Sequence, residues 1–147
     1  MCTPTRSMAP SACWKVTFRK GTDMPFVRID TMRADSDRLD GLGRAVHEAM
    51  VDTIGIPPDD KFQVLTSHDG IRYDANFLGI QRDDDVVFVS ITFRSGRTTE
   101  QKVALYKRIA ELVEKYTSVE PRNVFVHLVE NQPTDWSFGN GIAQYIA

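Results

Sequence analysis

The sequence has little cysteine, no long apolar run and no marked excess of either charge. The two cysteines, Cys2 and Cys13, both lie near the start, so no disulfide framework supports the body of the fold and a reducing, cytoplasmic location is expected. No segment approaches the roughly 20 apolar residues that cross a membrane. The formal net charge of −2 gives no reason to expect a nucleic acid or an anionic membrane as partner.

Patterns typical of metal and phosphate chemistry are absent as well. The three histidines, His47, His68 and His127, lack the spacing of zinc ligands. The acidic run 83–85 is typical of a solvated turn, with a metal cluster as a remote alternative. There is no glycine-rich phosphate loop and no nucleophile elbow. What remains is a chain of 147 residues, 41% hydrophobic, which can form one domain whose core needs neither metal nor disulfide.

The composition changes at Met24. Residues 1–23 carry four basic residues against one acidic residue, and CWKVTFRK (13–20) alternates as a short strand would. After Met24-Pro25, the segment FVRID alternates in the way that predicts a strand. A Met before proline is a common translation start, and aminopeptidases then expose the proline nitrogen. We therefore predict a leader, 1–24, irregular or absent from the mature chain, and a domain, 25–147; an internal Met-Pro linker is the alternative.

The domain contains a weak internal repeat, with copies at about 25–83 and 86–147. FVRIDT from Phe26 resembles FVSITF from Phe88, and an aliphatic-proline turn at Ile56 resembles the one at Val119. The two spacings are about 62 and 63 residues. Each copy therefore predicts a strand, a helix and a second strand.

Helical periodicity places one helix in each copy. The first should run from about Asp37 to Ile54, with Ser36 as N-cap and Gly55 as its stop. The second should run from about Thr99 to Tyr116, with a capping box formed by Thr98 and Gln101. The expected buried faces are Leu39, Leu42, Val46, Met50 and Ile54 in the first helix, and Val103, Tyr106, Ile109, Ala110 and Val113 in the second.

Two β-α-β units of this kind predict an α/β sandwich with a four-stranded mixed sheet and both helices on one face. The two strands of a unit must be parallel, because a whole helix crosses over between them. The other face of the sheet also carries apolar residues, so a subunit contact in a closed oligomer is expected to cover it.

Several segments together resemble the tautomerase superfamily. They are MPFVRID at a proline start, the two β-α-β units, GRTTEQK before the second helix and DWSFGNGIAQ in the tail. The resemblance covers about residues 24–147 and is greatest to the malonate semialdehyde decarboxylase-like and oxalocrotonate tautomerase-like branch. It implies an amino-terminal proline as catalytic group, paired β-α-β units, a homotrimer, small carboxylate substrates such as 2-oxo acids, and neither a metal nor an organic cofactor.

Pro25, Arg97 and Arg94 are the first candidate site residues. As the first residue, Pro25 would be a secondary amine that moves a proton between oxygen and carbon. Arg97 matches the family arginine, and its planar guanidinium would hold the substrate carboxylate. Arg94 is a weaker counterpart, because two residues separate it from Arg97 where the decarboxylase pattern has one. For either arginine, a solvated or salt-bridged surface position is the alternative.

The resemblance places three more residues at the site. Asp60 matches a catalytic aspartate that would assist the proline, although an ordinary turn aspartate is the alternative and Asp59 lies beside it. Trp136 and Phe138 would wall the pocket and exclude water, or else pack in the core or at a subunit contact.

The leading hypothesis is a keto–enol tautomerase for small 2-oxo acids. The rival within enzymes is a decarboxylase of malonate semialdehyde or a hydratase of a related acid. The rival outside enzymes is an oligomeric binding domain in which the leader stays attached and blocks Pro25.

Overall fold

The computed structural model describes residues 24–147, so the strand expected within 13–20 lies outside the described part. Four strands and two long helices follow in the order β-α-β-β-α-β. The strands are β1 (Phe26–Met32), β2 (Phe62–His68), β3 (Val87–Arg94) and β4 (Val124–Asn131). The helices are α1 (Ser36–Ile54) and α2 (Thr99–Thr117), and single 3-10 turns occupy Phe77–Gly79, Pro121–Asn123 and Pro133–Asp135.

The strands form one mixed sheet in the order β2-β1-β3-β4. β1 is parallel to β2 and β3 is parallel to β4, as the crossover helices require. The two units meet where β1 and β3 pair in antiparallel direction, with Phe26 opposite Thr92. The predicted architecture is therefore confirmed.

Helix α1 begins one residue before the predicted start. Its N-cap is Asp35, not Ser36, because the Asp35 carboxylate accepts the N–H of Arg38 at 2.8 Å. The helix ends at Gly55 as predicted, where φ is +72°, a backbone conformation that favours glycine.

Helix α2 has the predicted capping box between Thr98 and Gln101. Its predicted buried face was wrong in part, since Val103 is 58% exposed and Tyr106 is 38% exposed. The residues buried on α2 are Leu105, Ile109, Leu112 and Val113. The helix carries apolar residues on more than one side, and its packing against α1 and the sheet selects the side that is buried.

The core lies between the two helices and one face of the sheet, where Val27, Ile29, Val89 and Ile91 are fully buried. The opposite face, which we call the open face, presents a set of partly exposed apolar side chains: Phe26, Phe62, Val64, Phe125 and Val129. Among residues 24–147, neither helix has the length and apolar character needed to cross a membrane.

Candidate active site

The start of β1 is the point where the predicted site residues converge. Pro25 is buried directly before β1, whose first residue pairs with Phe62 of β2 and Thr92 of β3. Asp60 lies two residues before Phe62, and Arg94 lies two residues after Thr92. Since neighbouring strands lie about 5 Å apart, Asp60 and Arg94 flank the backbone just ahead of Pro25 on either side.

Asp60 and Asp59 differ in burial in the turn before β2. The backbone N–H of Asp60 donates to the carbonyl of Pro57 at 3.0 Å, which closes the turn. Asp60 is half-buried, with its Oδ2 atom out of reach of solvent, whereas Asp59 is exposed. The structure therefore brings the Asp60 side chain, rather than that of Asp59, toward the start of β1.

The two arginines reach this end of the sheet from different sides. Arg94, the last residue of β3, is half-buried and has its Cζ atom 5.5 Å from the ring centre of Tyr145. Arg97 has its Cζ atom 5.9 Å from the ring of Phe93, which directly follows Thr92, the partner of Phe26 on β3. Gly96 between them has φ of +127°, a conformation that side chains disfavour.

Glu130 of β4 holds the loop that carries Arg97. Its carboxylate pairs with the Lys102 ammonium of α2, and the backbone N–H of Gly96 lies near enough to stabilise the charged carboxylate. The Lys102 hydrogen bond, with support from the lysine charge and the Gly96 N–H, holds the pKa of Glu130 below its usual range. The ion pair thus links the end of β4 to the first turn of α2, beside the loop that carries Arg97.

Glu130→Gln is expected to lower the free energy of unfolding at pH 7 by up to about 1 kcal/mol, since the pair is partly exposed. Because the folded-state pKa of Glu130 is lowered, its contribution is present above the unfolded-state pKa of about 4.3 and is lost as pH falls through the folded value. Urea unfolding at pH 7 and pH 3 measures this difference, with Glu114→Gln as an exposed control. A difference of equal size at both pH values would contradict the assignment.

The tail after β4 supplies the aromatic side of the site. Trp136 and Phe138 stack with ring centres 5.3 Å apart, and Phe138 lies 6.5 Å from Phe62 of β2. The Trp136 indole N–H donates to the side-chain oxygen of Asn131 at 2.7 Å, which anchors the tail to the end of β4. Both predicted aromatic residues therefore lie at the same end of the sheet as Pro25.

Tyr145 belongs to this group and was missed in the sequence. Its ring contacts Phe138 edge-on at 5.0 Å, and its hydroxyl accepts the backbone N–H of Met24 at 2.8 Å. These two residues are 121 positions apart, so no local pattern could join them. The only available signal was an aromatic residue soon after the Trp136–Gly141 motif.

A separate cavity of about 510 Å³ lies between α1 and the edge strand β2. It shares Pro58 and Lys61 with the turn around Asp60, but Pro25, Arg94 and Arg97 do not line it. In the described part of the chain, no three His, Cys, Asp or Glu side chains are grouped as metal ligands would be.

Two family models, each described as "Tautomerase enzyme", match residues 60–139 and 25–70. The Probable tautomerase YusQ of Bacillus subtilis (strain 168) is 40% identical over 126 residues, which are 84% of this chain and 99% of YusQ. The Probable tautomerase YrdN of the same strain is 31% identical over 126 residues, covering 84% of this chain and 97% of YrdN. The chain belongs to the tautomerase family.

Solved malonate semialdehyde decarboxylases are similar in structure. One, solved as wild type, as a proline-to-alanine mutant at its first position and in an inactivated form, is 34% identical with a TM-score of 0.73. It is matched over 95% of its chain by 82% of this one. The FG41 malonate semialdehyde decarboxylase inhibited by 3-bromopropiolate is 39% identical, with a TM-score of 0.74 and coverage of 82% and 94%.

Proposed function

We propose that the chain, once it begins at Pro25, is a keto–enol tautomerase for small 2-oxo acids. The observation that carries this proposal is the position of Pro25, buried at the start of β1 between the residues that precede β2 and those that end β3. A terminal proline at this point has a secondary amine in a partly apolar site with guanidinium groups nearby. Both burial and positive neighbours favour the neutral amine, which is the form that accepts a proton.

The proposed reaction moves one proton. The Pro25 nitrogen removes the proton from the enol hydroxyl of the substrate, and the enolate then takes that proton from the Pro25 ammonium at carbon 3, which regenerates the neutral amine. Arg97 holds the substrate carboxylate with two parallel hydrogen bonds. Asp60, beside the start of β1, stabilises the transient ammonium. Trp136 and Phe138 exclude water from the reacting carbon.

Decarboxylation of malonate semialdehyde, or hydration of a related acid, is the second candidate. The similarity to two malonate semialdehyde decarboxylases at 34% and 39% identity supports it. In that reaction a protonated Pro25 would polarise the aldehyde oxygen of the substrate while the carbon–carbon bond to the carboxylate breaks. The non-enzymatic alternative is an oligomeric binding domain, 25–147, to which the leader, 1–24, stays attached and blocks Pro25.

We also propose a homotrimer in the cytoplasm. The partly exposed apolar side chains of the open face, such as Phe26, Phe62 and Phe125, would be covered by neighbouring copies. A fused 4-OT described as a symmetric trimer shares the fold, with a TM-score of 0.63 at 22% identity. The cytoplasmic location is proposed because both cysteines lie near the start of the chain, so the domain has no disulfide framework of the kind found in oxidising compartments.

The deciding experiment compares substrates on a chain that begins at Pro25. A solved relative is matched over 95% of its own length by 82% of this chain, so residues 25–147 are long enough to form the fold. The purified chain, its start verified by intact mass, receives the enol of phenylpyruvate and, separately, malonate semialdehyde. Loss of enol absorbance faster than in buffer alone supports the tautomerase. Release of acetaldehyde and carbon dioxide from malonate semialdehyde supports the decarboxylase. If a chain of verified mass acts on neither substrate, the enzyme proposals are wrong and the binding domain is favoured.

A further inference from the structure

Tyr145, which packs with Trp136 and Phe138 in the tail, carries a hydroxyl that has no role in the proposed reaction. Tyr145 is half-buried, and its Oη atom lies 2.8 Å from the backbone nitrogen of Met24. Since successive backbone nitrogens are separated by no more than about 3.6 Å, this oxygen lies within about 6.4 Å of the Pro25 nitrogen. It is therefore a polar group close to the atom that would carry out the proposed chemistry.

The ring of Tyr145 is held on several sides. Phe138 packs edge-on at 5.0 Å, Trp136 packs edge-on at 6.4 Å, and the Arg94 guanidinium lies 5.5 Å from the ring centre. The tail itself is closed by Gln144, only 6% exposed, whose side chain accepts the N–H of Phe138 and donates to the carbonyl of Gly139. The hydroxyl is thus placed by packing before any ligand arrives, as a preorganised donor must be.

Processing changes what this hydroxyl faces. In the full chain it accepts a hydrogen bond from the Met24 N–H. A chain that begins at Pro25 lacks that nitrogen, so the position beside the hydroxyl becomes available to a ligand. A phenolic hydroxyl donates as well as accepts, and a ligand oxygen in the vacated position would receive its proton in a hydrogen bond.

We propose that Tyr145 is a catalytic residue that donates this hydrogen bond to the 2-oxygen of the bound oxo acid. The assignment rests on the proposed function, because it takes Pro25 as the proton carrier. With carbon 3 of the substrate at about 3–3.5 Å from the Pro25 nitrogen, the 2-oxygen lies two bonds from that carbon and can reach the Tyr145 hydroxyl. Tyr145 keeps its proton throughout and stabilises the negative charge that develops on the 2-oxygen in the enolate.

The substrate class follows from this arrangement. A carboxylic acid without a carbonyl satisfies the arginine but offers the Tyr145 hydroxyl nothing to bind. A 2-oxo acid, or its enol, presents a carboxylate and an adjacent oxygen at once. Tyr145 therefore makes the site prefer 2-oxo acids to simple acids of equal length.

The test is Tyr145→Phe in the chain that begins at Pro25, because phenylalanine keeps the ring and removes only the hydroxyl. We expect kcat for ketonisation of phenylpyruvate enol to fall by about 10²-fold, the size seen when one oxyanion donor is removed, and KM to rise by no more than about tenfold, the contribution of one neutral hydrogen bond to the bound substrate. Tyr106→Phe, on the outer side of α2 and 38% exposed, is the matched control and should retain full activity. Melting curves of both variants verify the fold.

A binding measurement separates the failure of this assignment from failure of the proposed function. Calorimetry with 2-oxobutyrate and butyrate on the unsubstituted chain should show tighter binding of the oxo acid, and Tyr145→Phe should lose that preference while butyrate binding is unchanged. A variant that keeps both the preference and the kcat overturns the role of Tyr145 alone. An unsubstituted chain that binds neither acid and ketonises no enol overturns the proposed function and this assignment with it.

Discussion

The full chain is expected to ketonise the phenylpyruvate enol at least about 10²-fold more slowly than the chain that begins at Pro25. In the full chain the Pro25 nitrogen is part of an amide, which has no basic lone pair, so the general-base contribution of about 10²–10⁴-fold is absent. The backbone of Met24 also occupies the hydrogen-bonding position beside Tyr145. The measurement is kcat/KM for the two chains, each with its N-terminus verified by intact mass before and after the assay.

Substitution at Pro25 refines this result. Pro25→Ala in the shortened chain leaves a primary amine at the same place, so it should retain part of the activity and titrate with a different pH profile. Pro121→Ala is the matched control, since this exposed proline begins the 3-10 turn before β4 at the far end of that strand. If the full chain keeps its leader throughout the assay and still has the same kcat/KM as the shortened chain, the Pro25 nitrogen is not the base.

Local sequence signals were sufficient for the two β-α-β units. The stop at Gly55 and the capping box of Thr98 and Gln101 are short-range features, and the structure confirms both. The N-cap of α1 was misplaced by one residue because Asp35 and Ser36 are both good caps, and only the hydrogen bond to the Arg38 N–H distinguishes them.

Long-range packing explains what the sequence could not predict. Periodicity alone does not choose between the Val103 and Leu105 sides of α2, since the choice depends on where α1 and the sheet lie. The antiparallel meeting of β1 and β3, which brings Arg94 toward Pro25, follows from how the two units pack together. The contact between Met24 and Tyr145 spans nearly the whole domain and appears only when the tail folds back.

Arg97→Ala is expected to reduce kcat/KM for the enol by about 10²–10³-fold, the equivalent of roughly 3–4 kcal/mol. Arg97 lies one residue before the N-cap of α2, on the loop that Glu130 holds, and its Nε atom is buried. A substrate carboxylate there meets a fixed guanidinium with little competition from water, so its two hydrogen bonds are strong.

Arg97→Lys distinguishes geometry from charge. Lysine keeps the positive charge but offers a single point donor, so the variant should recover only part of the loss, with most of the change in KM. Arg72→Ala, at an exposed position in the segment between β2 and β3, is the matched control and should bind butyrate as the unsubstituted chain does. Unchanged butyrate affinity in Arg97→Ala would move the carboxylate site to Arg94, the other guanidinium at this end of the sheet, and the substrate would then lie against the Tyr145 ring.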